Sequence, residues 1–225
     1  MDYHRIRKNK TKVKNLTKRK ITKIEIQKKR KNRCSVFLDE EFAFGIDQEL
    51  LIEFGLVNGA FLSDTDVEAI LEAENKRAAK TRAFGLLAYR DRSEKEIHDR
   101  LKKIGYDEET TNWVVSELKR LNLINDKRFA VSFAKSKMIS KPMGRFLLKQ
   151  ELLQKGLSDT IIEITLAEVY QETSESSLAF ELAEKQMKKY RTLEQPKAKK
   201  RLSDFLIRRG FSWEIVKNIT HQLKL

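Results

Sequence analysis

The apolar residues of the chain follow two rhythms, one near the amino terminus and another beyond it. Residues 1–20, MDYHRIRKNKTKVKNLTKRK, follow neither. Between residues 21 and 48, Ile21, Ile24 and Ile26, then the segment RCSVFLD, then Phe42, Phe44 and Ile46 alternate in part and are rich in β-branched and aromatic side chains. Alternation lets one face of a strand pack while the other meets water, so this stretch predicts a small β-rich cap. From Asp47 the spacing turns helical, with a short helix to Phe54, a turn at Asn58-Gly59, and a long helix capped by Ser63 or Asp64.

Helical spacing then continues to the end. SEKE sets Ser93 and Glu96 at capping-box spacing, so one helix ends near Arg92 and the next begins there, with Ile97, Leu101 and Ile104 on one stripe. A helix from Glu108 to about Leu121 is expected to bury Val114, Val115, Leu118 and Leu121. Asn125-Asp126 caps a helix carrying Phe129 and Phe133, ISKPMG interrupts it, and Phe146, Leu148 and Leu152 follow. A third set has Leu178, Leu182 and Met187, a break at Gln195-Pro196, then Leu202, Phe205 and Leu206.

These sets are copies of one unit. LKKIGYDEETTNWVVSEL from Leu101 matches LLQKGLSDTIIEITLAEV from Leu152 and LIRRGFSWEIVKNITHQL from Leu206, placing Gly105, Gly156 and Gly210 at spacings of 51 and 54 residues. Each glycine follows a leucine by four positions and suits the left-handed conformation that closes a helix without a Cβ clash. Two residues on, Asp107, Ser158 or Ser212 can accept from the free N–H groups of the next helix. The residue between, Tyr106, Leu157 or Phe211, faces the fourth helical position, Thr111, Ile162 or Val216, as a staple that is fully apolar in two copies of three.

The pattern therefore predicts a mainly α protein: an elongated array of three tandem three-helix repeats with a small β-rich amino-terminal cap. The expected divisions are a basic arm at 1–20, the β-rich region at 21–62, and repeats at 63–124, 125–172 and 173–225. Units this small bury their helices against neighbours, and the long surface that results suits a long partner better than a small substrate.

Charge changes the picture at one end. The chain carries a net +14, of which residues 1–33 hold +13 and residues 34–225 only +1. A run of this kind is either a solvated tail or a site of attraction to a polyanion, where each neutralised phosphate releases counterions. It lacks the apolar face that a membrane surface requires. The basic start has no following apolar segment, so no secretory signal is expected, and no apolar run approaches a membrane span; a soluble, cytoplasmic protein is the expectation.

Catalytic chemistry finds little support. His4, His98 and His221 are scattered without a second ligand at metal spacing, and neither a phosphate loop nor a nucleophile elbow occurs. Asp39-Glu40-Glu41 reads as solvated surface rather than a Mg²⁺ site, and the lone Cys34 as a small packing residue. No cofactor, metal or enzymatic activity is expected.

Three segments then combine: AFGLLAYRDRSEKEIHDRLKKIGY, LINDKRFAVSFAKSK and KPMGRFLLKQELLQKG. They contain Arg90, Arg92, Ser93, Glu96 and Ile97; Asn125, Asp126, Arg128, Phe129 and Ala130; and Gly144, Leu148, Glu151, Leu152, Lys155 and Gly156. From about Ile21 to Leu225 the chain resembles the RecX family of bacterial regulatory proteins, although its amino-terminal arm is longer and more basic than that family suggests. The resemblance implies a non-enzymatic modulator of the RecA recombinase. Such a protein lies along the groove of the RecA filament on single-stranded DNA, inhibits ATPase and strand exchange, and so acts on recombination, repair and the SOS response. The expected partners are the RecA filament and single-stranded DNA, with weaker contact to double-stranded DNA, for a monomer. The alternative is a helical protein that binds DNA or RNA without RecA. Contact candidates are Arg90, Arg92, Lys102, Lys103, Lys141, Arg145, Lys149, Lys199, Lys200, Arg208 and Arg209. Tyr89 and Tyr190, each beside an arginine, are expected to pack more often than to stack on bases.

Overall fold

The computed structural model describes residues 18–223. Most of the expected basic arm, residues 1–17, lies outside them. The chain divides into two compact units, Met1–Lys80 and Thr81–Leu225.

In the first unit, β1 (Arg19–Gln27), β2 (Arg30–Leu38) and β3 (Glu41–Asp47) form an antiparallel meander, and the two-residue β4 (Phe61–Leu62) pairs with the start of β1, giving the order β3-β2-β1-β4. The alternation read from sequence is the alternation observed: Cys34, Val36 and Leu38 are buried along β2, Phe44 and Ile46 along β3. Asp39 and Glu40, at φ 49° and 72°, form the β2–β3 turn, with two successive positive φ values as the twist of a tight hairpin demands. The Lys20 backbone N–H donates to Asp39 Oδ1 at 3.0 Å, so this acid holds a turn. The short helix α1 (Gln48–Glu53) starts at the Asp47 cap and buries Leu50. The long α2 (Asp64–Tyr89) lays Val67 and Ile70 on the sheet core. Its Glu74, 3% exposed, pairs with Arg33 at 2.5 Å and accepts from the Asp47 N–H at 2.8 Å.

The second unit holds α3 (Glu94–Ile104), α4 (Glu108–Arg120), α5 (Asp126–Ser140), α6 (Arg145–Gln154), α7 (Asp159–Glu172), α8 (Glu175–Met187), α9 (Gln195–Arg208) and α10 (Trp213–Gln222). Gly105, Gly156 and Gly210 have φ of 111°, 80° and 85° and close α3, α6 and α9. Asp107, Ser158 and Ser212 then cap α4, α7 and α10, each accepting from an N–H three residues on. The staple residues Leu157, Ile162, Phe211 and Val216 are buried. In the first copy Thr111 takes the apolar place, and its buried hydroxyl has no hydrogen-bond partner among the described residues. The protein is thus mainly α, with three three-helix repeats that follow a small strand region in the sequence.

Several side chains depart from expectation. Ile104, Leu121 and Phe146 are exposed and Val115 is half-buried. Ile104 and Leu121 sit at the ends of their helices, where the buried stripe runs out. Tyr89 is 85% exposed, so the packing expected of it does not occur. Pro196 lies in the first turn of α9, where its missing N–H costs nothing, and the interruption falls just before it, beyond a single 3₁₀ turn at Lys188–Tyr190. A shared apolar core runs from Phe129 of α5 to Ile219 of α10, uniting the second and third repeats. The first repeat buries Ile97, Leu101, Val114 and Leu118.

Candidate functional site

Two kinds of cation emerge when the predicted contact residues are placed. Arg90 turns back onto Glu96 with two hydrogen bonds of 2.8 and 3.1 Å. Arg92 is half-buried and donates through Nε to the Leu86 carbonyl at 3.1 Å, near the open end of α2. Lys102 pairs with Glu108 at 2.9 Å and Lys149 with Glu163 at 2.6 Å. Arg145 lies over the Tyr170 ring, 5.0 Å from its centroid, with Nε 3.5 Å from Glu175. Arg209 donates to the Pro142 carbonyl at 3.2 Å and covers the Phe205 ring. Lys199 is exposed on α9 but also interacts within the fold. By contrast Lys103, Lys141, Lys200 and Arg208 are exposed and their side chains have no carboxylate partner among the described residues. Arg128, absent from the candidates, is exposed in the same way.

Lys102 and Lys149 pair within their own repeats, whereas Arg145 and Arg209 lie at the seam between the second and third repeats and Arg90 reaches the first seam through Glu96. At the first seam Ser93 caps α3 by accepting from the Glu96 N–H at 3.2 Å, while its own hydroxyl donates to the Lys155 carbonyl at 2.7 Å. The Glu94 N–H donates to Asp126 Oδ1 at 2.9 Å. The Glu96 side chain does not complete a capping box; it receives Arg90 and, at 2.5 Å, Lys155. Burial would raise this carboxyl, yet the hydrogen bonds from Arg90 and Lys155 overcome it and hold the pKa at about 2. Lys155 and Lys137 both lie over the Phe133 ring, and Lys137 pairs with Glu151 at 2.6 Å.

The second seam repeats the first in different chemistry. The Gly144 N–H donates to the Arg209 carbonyl at 2.8 Å, the counterpart of Ser93 on Lys155, since Lys155 and Arg209 each precede a repeat glycine. The Arg145 N–H donates to Glu175 at 2.8 Å as Glu94 does to Asp126, and Asp126 and Glu175 each open the first helix of the following repeat. Backbones meet here: a Cβ on Gly144 would overlap Gly210, and one on Gly210 would overlap Leu147. A Cβ on Gly156 would likewise strike the Lys95 side chain, whereas Gly105 has open space around it. Each later glycine therefore closes its helix and receives the preceding repeat. Sequence alone marked these residues as helix punctuation and left the second role unread, because it depends on which chain segment arrives from elsewhere.

What the arrangement offers chemically is a fixed scaffold with scattered free cations on its surface. Among the described residues no group of three or more His, Cys, Asp or Glu is placed to hold a metal ion, and no helix is long and apolar enough to cross a membrane.

Comparison with known proteins agrees with this construction. Family models match in four segments: the regulatory protein RecX N-terminal domain at residues 19–63, and the first, second and third three-helix domains of RecX at 79–118, 125–166 and 174–219. Regulatory protein RecX of Bacillus cereus strain B4264 is 34% identical over 208 residues, which span 91% of this chain and 77% of the relative. That of Listeria monocytogenes serovar 1/2a is 32% identical, over 88% of this chain and 73% of the relative. A crystal structure of regulatory protein RecX superposes with a TM-score of 0.72 at 30% identity, covering 90% of this chain and 99% of that one. RecX from Lactobacillus salivarius gives 0.60 at 27% identity, covering 68% and 98%. The chain belongs to the RecX family of regulatory proteins.

Proposed function

We propose that this RecX-family chain is a non-enzymatic regulator of RecA that binds the RecA filament on single-stranded DNA and restrains its ATPase and strand exchange. Family membership across both units carries this reading. A physical argument supports it: Ser93, Glu96, Asp126, Gly144 and Lys155 join successive repeats within the second unit, and a ligand held at fixed spacing suits a repeating filament. Contact then falls to the outward cations, Lys103, Lys141, Lys200 and Arg208 first, with Arg90, Arg92, Lys102, Arg145, Lys149, Lys199 and Arg209 holding or flanking them. The protein acts as a cytoplasmic monomer, with single-stranded DNA approached as part of the filament and double-stranded DNA bound more weakly.

Co-sedimentation tests the reading. The chain is spun with RecA–single-stranded DNA filaments formed with a slowly hydrolysed nucleotide, and separately with the DNA alone at the same salt. Sedimentation with filaments at concentrations where DNA alone retains none is expected. Equal retention by bare DNA would favour a nucleic-acid-binding protein that needs no RecA.

A further inference from the structure

Each repeat has the same four positions around its glycine, seven and three residues before it and three and seven after, and each fills them differently. In the first repeat they are His98, Lys102, Glu108 and Asn112, and Glu108 gathers the other three, His98 Nε2 at 2.8 Å, Lys102 at 2.9 Å and Asn112 Nδ2 at 3.4 Å. In the second they are Lys149, Leu153, Asp159 and Glu163, and Lys149 meets Glu163 at 2.6 Å. In the third they are Ser203, Ile207, Trp213 and Lys217. The turn that brings Lys102 to Glu108 recurs at Gly210 and Ser212, so Ile207 and Trp213 take the places of an ion pair. Trp213 is 66% exposed and Ile207 46%, and the exposed Lys217 has no carboxylate partner among the described residues. The staple beneath them, Phe211 and Val216, is already buried, so closing this turn does not call on the ring.

Charge in the third repeat is as uneven as its apolar surface. Residues 184–201, from the end of α8 through the 3₁₀ turn to the first turns of α9, carry eight bases against Glu184 and Glu194, a net of +6. Residues 34–225 net only +1, so those outside this stretch net −5. All eight bases are exposed, and no large apolar side chain is exposed among them. Such a cluster attracts a run of phosphates and offers an apolar partner nothing. Lys200 belongs to it and lies two turns before Ile207 on the same face of α9, a rise of about 10 Å. Arg208, and Lys217 one turn beyond Trp213, continue the cations past the ring. Cations that lead to an open aromatic face hold an unpaired strand, its backbone on the charges and a base on the ring. A duplex keeps its bases in its own stack, and an acidic peptide would meet Asp204, one turn before Ile207, and Glu214, next to Trp213. We propose that the third repeat holds single-stranded nucleic acid directly, with an unpaired base on Trp213 beside Ile207 and the flanking phosphates on Lys200, Arg208 and Lys217. This base contact deepens the RecA reading, on which it rests for where the strand is met, and it forms without RecA.

The test measures binding of the full chain, without RecA, from about 50 mM salt upward, to a single strand of about 20 nucleotides, to an abasic strand of equal length and to a duplex. In Trp213→Ala, affinity for the strand should fall at least about fivefold, the lower end for one base on an aromatic ring. The tryptophan quenching that the parent shows on the strand should largely vanish, while affinities for the abasic strand and the duplex stay as they were. Trp213→Phe should recover most of the loss. Lys217→Gln should weaken both single strands alike and make the slope of log K against log salt shallower by about 0.7 on each. Should Trp213→Ala change the helical content, Trp213→Leu decides, since it keeps an apolar side chain without a flat face and should lose as much. Unaltered strand affinity without the ring would overturn the proposal and leave Trp213 to a protein partner. An equal loss on the abasic strand would overturn it as well. So would a parent chain that binds no bare strand at low salt, and sedimentation with RecA filaments would then still uphold the RecA reading.

Discussion

Gly144 and Gly210 show how much a single missing Cβ can fix. Gly210 needs its positive φ to close α9 and its bare Cα to admit Leu147, while Gly144, at an ordinary φ of −82°, is required only because Gly210 lies against it. Gly105→Ala should therefore cost about 1 kcal/mol, the backbone penalty alone. Gly144→Ala should cost about 3 kcal/mol through overlap with backbone that cannot move aside. Urea denaturation of the two variants checks the ranking, and equal costs would remove the close approach from the account. Glu96 carries the corresponding electrostatic prediction. Its carboxyl sits at about 2 when folded against an ordinary value of 4.5, so its stabilisation is complete above about pH 4.5 and is lost as pH falls toward 2. Glu96→Gln should cost about 2 kcal/mol at pH 7 by leaving Arg90 and Lys155 without their shared anion. It should also flatten the acid side of the stability profile, and a profile that matches the parent between pH 4.5 and 2 would refute the role.

Among the elements, the two seams differ in what surrounds them. The seam between α6 and the third repeat is flanked by the core that spans α5 to α10, while that between α3 and the second repeat is built from Ser93, Glu94, Glu96, Asp126 and Lys155. Polar contacts open locally at lower free energy than a continuous apolar core. Amides of α3 and α4 should exchange with deuterium faster than those of α7 and α10, by at least about tenfold; uniform protection across the second unit would contradict this. The same contrast explains what the sequence disclosed. Glycine closures, the caps at Asp107, Ser158 and Ser212, and the strand alternation are local, set by residues a few positions apart, and were legible. The partner of Arg90, the exposure of Phe146 and the need for Gly144 depend on segments tens of residues away, and no periodicity encodes them.

For the whole molecule, Arg90, Arg145 and Arg209 are held by contacts within the fold, and the proposed function places contact first on Lys103, Lys141, Lys200 and Arg208, which have no carboxylate partner among the described residues. A variant aimed at the third repeat must spare Arg209, which holds Pro142, and Lys199, which also interacts within the fold. Lys200→Glu/Arg208→Glu is the cleaner pair, since neither side chain has a carboxylate partner among the described residues. The deciding measurement is the rate of ATP hydrolysis by RecA on single-stranded DNA as this chain is added. The account predicts a saturable fall in rate with the parent chain, and at least about tenfold more of the Lys200→Glu/Arg208→Glu chain for the same effect, at unchanged helical content. An unaltered rate at saturating parent chain, on filaments shown to be intact, would contradict it.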